Sequence, residues 1–126
     1  MQEKPITAVE KSSVILIVIT FLLQGCLACE NDIFQTIHSP DQKFSAVIFN
    51  RDCGATTGFS TQVSIVDFGE SLPKVNGNTL VIDNHPSKTK VKVEWVSNNE
   101  LVISSLGKNI VYDKENSFGK VKINYE

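Results

Sequence analysis

From residue 29 onward, apolar and polar positions alternate with a period of two over much of the chain. Lys90-Val91-Lys92-Val93-Glu94-Trp95 sets valine and tryptophan on one face and charge on the other, and Lys120-Val121-Lys122-Ile123-Asn124-Tyr125 repeats the pattern. Each reads as a half-buried antiparallel strand. Phe44 to Phe49 is apolar on both faces in part, which suits a central strand. Ser60 to Phe68 sets Val63 and Ile65 against Gln62 and Ser64. Weaker runs at Ile33–His38, Thr79–Asp83, Glu100–Ser104 and Asn109–Tyr112 complete the set. Turn chemistry falls between them at Ser39-Pro40-Asp41, Asn76-Gly77-Asn78, Ser97-Asn98-Asn99 and Asn116-Ser117-Phe118-Gly119. No ten-residue window in this part has helical periodicity. The pattern predicts an all-β domain: a small antiparallel sandwich, an open barrel or a twisted meander of about six to eight short strands.

The first 29 residues follow a different rule. Val14 to Leu23 is ten residues of nearly unbroken apolar sequence, and residues 12–29 carry no charge. As a helix the apolar run covers about 15 Å, half of a bilayer core of about 30 Å. That length suits the apolar centre of a signal segment better than a spanning helix. Leu23-Gln24-Gly25-Cys26 resembles the bacterial lipobox, with Gln24 an unusual second residue. The resemblance implies that Cys26 takes a diacylglycerol and becomes the mature N-terminus, where two or three acyl chains give stable anchoring. Cleavage after Ala28, releasing a soluble protein, is the rival. The expected division is a signal helix over 1–25, a tether over 26–32 and one β domain over 33–126. The chain of 126 residues leaves room for one domain.

Export changes the meaning of the three cysteines, Cys26, Cys29 and Cys53. Lipidation uses Cys26, and the other two form an even number in a compartment where disulfides persist. A Cys29–Cys53 bridge follows. The alternative, a redox or metal Cys26-Leu27-Ala28-Cys29 motif, lacks the strand–helix setting that such pairs occupy.

One stretch stands apart from the alternation. Arg51-Asp52-Cys53-Gly54-Ala55-Thr56-Thr57-Gly58-Phe59-Ser60 is dense in glycine and hydroxyls between two strong strands. As structure it reads as a wide hairpin, with Gly54 and Gly58 at positive φ and the threonines bonding local backbone. As a site it reads as a ligand loop. Amides near Gly54 and Gly58 would form a nest, and Arg51, Thr56, Thr57 and Ser60 would aim at an anion or sugar beside Asp52. It is not a phosphate-binding P-loop, since no Gly-Lys-Ser/Thr closes it. With Ser39-Pro40-Asp41 upstream and Gly69-Glu70-Ser71-Leu72-Pro73 downstream, the stretch resembles a family of small bacterial envelope proteins. Those share an Asp-Cys-Gly-Ala-Thr-Thr-Gly core and a cysteine near the mature N-terminus. The resemblance implies a single envelope domain and no assigned activity.

Charge and side-chain chemistry narrow the functional classes. Residues 1–25 hold two lysines and two glutamates, so their removal leaves the net charge at −2. No basic stripe remains to neutralise phosphates, which argues against a nucleic acid partner. The two histidines, His38 beside a proline turn and His85 before Pro86 in another, are too few for a zinc site, so neither a metal nor another cofactor is expected. A Cys53 nucleophile paired with either histidine requires a free thiol, which the bridge removes. Trp95, Phe44 and Phe49 read as core rather than as a sugar platform. The expectation is a non-enzymatic, lipid-anchored module on the periplasmic side of the outer membrane, binding an envelope protein. An inhibitor or immunity-type protein is the second reading, and an enzyme or ligand binder using Asp52–Ser60 the third.

Overall fold

The structure is a computed structural model that describes residues 28–126; the expected signal segment and Cys26 lie outside the described residues. The elements are β1 (Glu30–His38), β2 (Phe44–Asp52), β3 (Ser60–Asp67), β4 (Leu80–Asp83), α1 (Pro86–Thr89), β5 (Lys92–Ser97), β6 (Glu100–Ser104), β7 (Val111–Lys114), β8 (Ser117–Phe118) and β9 (Val121–Tyr125). They form two open sheets, one ordered β1-β2-β3-β4-β7 and the other β5-β6-β9-β8.

The alternation explains the sandwich directly. Ala46 and Ile48 of β2, Val63 and Ile65 of β3 and Leu80 and Ile82 of β4 point from the first sheet into one core. Val93, Leu101, Ile103, Val121 and Ile123 meet them from the second. All eight expected strands are present, with the two-residue β8 as a ninth. Phe118 pairs with Val121 across a tight turn whose Gly119 has φ 56°, so the segment read as a connection is one arm of a hairpin.

One expectation holds on one side only. Lys120–Tyr125 reads as antiparallel, and β9 is antiparallel to β8 but runs parallel to β6, with Leu101 opposite Ile123. The chain leaves the second sheet after β6, pairs β7 with β4 in the first, and only then returns. Exposure of one face of β9 preserves the alternation whichever way its neighbour runs. The one-turn helix α1, four residues long, starts on Pro86 and is capped by His85, whose Nδ1 accepts the Ser87 amide; it is too short to register as helical periodicity.

β2 is buried on both faces, for a reason the sequence only hints at. On its outer face Val47 and Phe49 pack with Val66 and Leu72. Leu72 belongs to a strap, residues 68–78, that doubles back across the outside of the first sheet. Gly77 fixes its closest approach: a Cβ there would lie 2.8 Å from the Val63 carbonyl and 2.9 Å from that of Leu80. The Gly77 amide donates to Gln62 Oε1 at 2.7 Å. The Asn78 side chain accepts from the Ile65 amide and donates to the Ile65 carbonyl, at 2.9 and 2.8 Å, standing in for a strand residue. At the other side of the domain Tyr125 donates its hydroxyl to the Glu115 carbonyl at 2.6 Å. Burial first, and the charges of Glu115 and Asp113 second, push its phenol up to about 12.

Candidate functional site

The Asp52–Ser60 loop joins β2 to β3 and is built almost wholly from local bonds. The Asp52 carboxylate accepts the Gly54 amide at 2.9 Å. Gly54 turns the chain at φ 113°, and its carbonyl accepts both the Thr57 amide at 3.2 Å and the Thr57 hydroxyl at 2.9 Å. Gly58 does not take the positive φ expected of it; the single left-handed residue at Gly54 completes the reversal. The Ser60 hydroxyl accepts from the Arg51 amide and from Gln62 Nε2, while its own amide donates to Asn50 Oδ1. Thr56 is exposed at the tip. Polar atoms read from sequence as a ligand cradle are thus the bonds that shape the hairpin.

Arg51 points elsewhere. Its guanidinium donates to Asn31 Oδ1 at 2.7 Å and to the Lys74 carbonyl at 3.2 Å, while Asn31 Nδ2 donates to the Pro73 carbonyl at 2.8 Å. Arg51 therefore ties β1, β2 and the strap together on the outer face. An open concavity of about 470 Å³ lies between Asn50–Asp52 and the loop residues Gly54, Thr57 and Phe59. No buried side-chain polar atom among the described residues lacks a partner.

Cys29 and Cys53 are bridged, with Cα atoms 4.1 Å apart. The bond extends the β1–β2 ladder one position past Glu30 and Asp52, and it removes the thiol that a Cys53 nucleophile needs. His38 lies at the far end of β1, its Nδ1 2.8 Å from Ser45 Oγ. His85 is beside the loop, edge-on to Phe59 at 5.2 Å between ring centres, with its Nδ1 committed to the α1 cap. Phe49 is fully buried; Phe44 and Trp95 stack at 6.4 Å, and the indole donates to the Ile37 carbonyl at 2.9 Å. No group of three or more His, Cys, Asp or Glu side chains among the described residues could hold a metal ion.

The surface feature that sequence reading passed over is β1. Among the described residues this nine-residue strand forms the edge of the first sheet and pairs only with β2. A bulge falls between Ile33 and Gln35, and the apolar pair at that point is bare: Ile33 is 55% exposed and Phe34 52%. The signal was present as adjacent Ile33-Phe34, which breaks the alternation, since two neighbours cannot share a strand face. Glu30 and Asp32 place charge just before the pair, a common guard against indiscriminate edge pairing. Compared with protein-family models, curated proteins and solved structures, the chain matches none.

Proposed function

We propose that this chain is a non-enzymatic module of the bacterial envelope, exported and anchored by lipid at Cys26, that binds a partner protein along the open edge of β1. The observation that carries the reading is the long edge strand with Ile33 and Phe34 bare at its bulge. Strand addition supplies main-chain hydrogen bonds for affinity, and the two apolar side chains supply specificity. The resemblance of Asp52–Gly58 to the envelope family and the lipobox-like Leu23–Cys26 support the location. A ligand-binding role for the loop has the concavity in its favour. Against it stand the internal bonds of Asp52, Thr57 and Ser60 and the outward commitment of Arg51.

A photocrosslinking residue placed at Phe34 in the processed protein, in intact cells, is expected to give one discrete envelope adduct. The same group at exposed Val96, on the edge of the other sheet, gives none. Once that partner is purified, Ile33→Lys should weaken binding by about tenfold or more, roughly 1.4 kcal/mol or above. Equal adducts from both positions, or an unchanged affinity, would refute the β1 reading.

A further inference from the structure

The end of the sandwich that carries the disulfide collects chemistry that neither the loop nor the β1 edge explains. β1 begins there and β2 ends there, and β3 starts there at Ser60, opposite Asp83 of β4. The Gly54–Phe59 loop, the 84–90 segment with α1 and the 105–110 turn therefore share one end. Three contacts tie them together. Phe59 meets His85, Asn84 Nδ2 donates to Asn109 Oδ1 at 2.8 Å, and the Asp83 amide donates to the Ile110 carbonyl at 3.1 Å. Phe59 is 66% exposed and Ile110 59%. Lys88, Lys90 and Lys108 are exposed around them.

Among the described residues, the carboxylates at this end are bonded locally, with Asp52 and Asp83 keeping their charge and Glu30 alone paired with a cation. Asp52 holds the Gly54 amide, Asp83 the Ile110 amide at 2.6 Å, and Glu30 pairs with Lys74 at 3.3 Å. On the second sheet, Lys92 pairs with Glu94 at 3.9 Å, and Glu126 lies beside the end of β6. The opposite end of the first sheet is acidic by contrast, with Asp41, Asp67 and Glu70 against Lys43. This end thus gathers two bare apolar side chains and three exposed lysines on the side of the domain where Cys29 lies.

The chain outside the described residues ends at that same place. Cys26 is three residue steps from Cys29, a reach of at most about 11 Å, and Cys29 is bonded to Cys53 at the base of the loop. We infer that this end is a membrane-docking face: Phe59 and Ile110 enter the interfacial layer, and Lys88, Lys90 and Lys108 engage anionic phosphate headgroups. The inference rests on the proposed attachment at Cys26. A lysine held near an anionic surface contributes about a fivefold gain in surface affinity, and an aromatic ring is favoured at headgroup depth. Such a face sets the orientation of the domain, which a flexible lipid tether alone leaves free.

The test uses the full chain, processed in a bacterial host and reconstituted in vesicles of phosphatidylcholine with about one quarter phosphatidylglycerol, their acyl chains brominated to quench tryptophan. Mass measurement first reads acylation at Cys26. Phe59→Trp is expected to lose emission to the brominated chains. Phe68→Trp at the opposite end and native Trp95 are expected to keep theirs. Combining Phe59→Trp with Lys88→Glu, Lys90→Glu and Lys108→Glu should restore the emission, with Trp95 emission and circular dichroism confirming an intact fold. An acylated protein whose Phe59→Trp is unquenched, or quenched no more than Phe68→Trp, overturns the docking face and leaves the tether standing. If that residue is unquenched by lipid yet shielded from aqueous iodide in native membranes, a protein covers this end, and the lipid assignment fails. An unacylated, soluble product overturns the tether and the orientation together.

Discussion

Removing the Cys29–Cys53 bridge is the sharpest test of how the first sheet is held. The double variant Cys29→Ala/Cys53→Ala avoids leaving a lone reactive thiol. The bridge spans a sequence separation of 24, and closing a loop of about 25 residues in the unfolded chain corresponds to about 3.5 kcal/mol. A domain of about 100 residues unfolds with an entropy of about 0.2 kcal/mol/K, so the midpoint should fall by about 15 °C. The loss should also be uneven. Among the described residues β1 has one ladder partner, and the bridge closes the end of that ladder nearest the N-terminus, so the amides of Glu30–Gln35 should lose protection before those of β3 and β4. Thermal unfolding followed by far-ultraviolet circular dichroism reads the first effect, and native-state hydrogen exchange the second. A shift under about 3 °C, well below the loop-closure magnitude, would refute the reasoning. So would β1 protection equal to that of the bridged protein.

Three further outcomes follow from the packing. Gly77→Ala should cost about 3 kcal/mol in denaturant unfolding, the upper end of overpacking losses, because the added Cβ meets backbone atoms of Val63 and Leu80 rather than a yielding side chain. Arg51→Ala should cost about 1–2 kcal/mol and expose the strap to proteolysis near Lys74, and Arg51→Lys should rescue it poorly, since one ammonium cannot reproduce the fork to Asn31 and Lys74. Tyr125, with its phenol raised to about 12 in the fold, contributes stability that is complete below an unfolded value of about 10 and is lost as pH rises through 12. Ultraviolet titration should show one late-ionising tyrosine, absent in Tyr125→Phe, whose stability should depend less on pH over that window.

Much of the fold was legible because it rests on a two-residue period. Val91, Val93 and Trp95 announce their inward face, as do Val63 and Ile65, and the observed core uses those positions. What stayed hidden depends on contacts distant in sequence. The parallel β6–β9 pairing follows from where β7 docks, which no local pattern records. Gly77 reads as a turn residue beside two asparagines, yet its role is to let the strap touch the backbone of β3 and β4. The two readings of the loop stayed open from sequence for a related reason. Hydroxyls, glycine and an arginine compose both a ligand cradle and a self-bonded hairpin, and the difference lies in partners such as Asn31 and Lys74, 20 and 23 residues from Arg51.

Those long-range ties converge on β1, which gives the edge strand its interest. An edge strand is ordinarily the first part of a sheet to fray. Here the disulfide holds its start, the Arg51–Asn31 bond its second residue, and the Trp95 indole the Ile37 carbonyl near its end. The stretch between, Asp32 to Thr36, keeps the bare Ile33-Phe34 pair. A strand held in extended form from both sides loses less conformational entropy when a partner pairs with it, while the bulge and the preceding Glu30 and Asp32 discourage unselective pairing. If order at this edge served stability alone, burying Ile33 and Phe34 would have been the cheaper arrangement, at about 1.5–3 kcal/mol gained for each fully buried side chain. Three clamps around an uncovered apolar pair fit a strand kept ready for a selective contact better than one merely held in place.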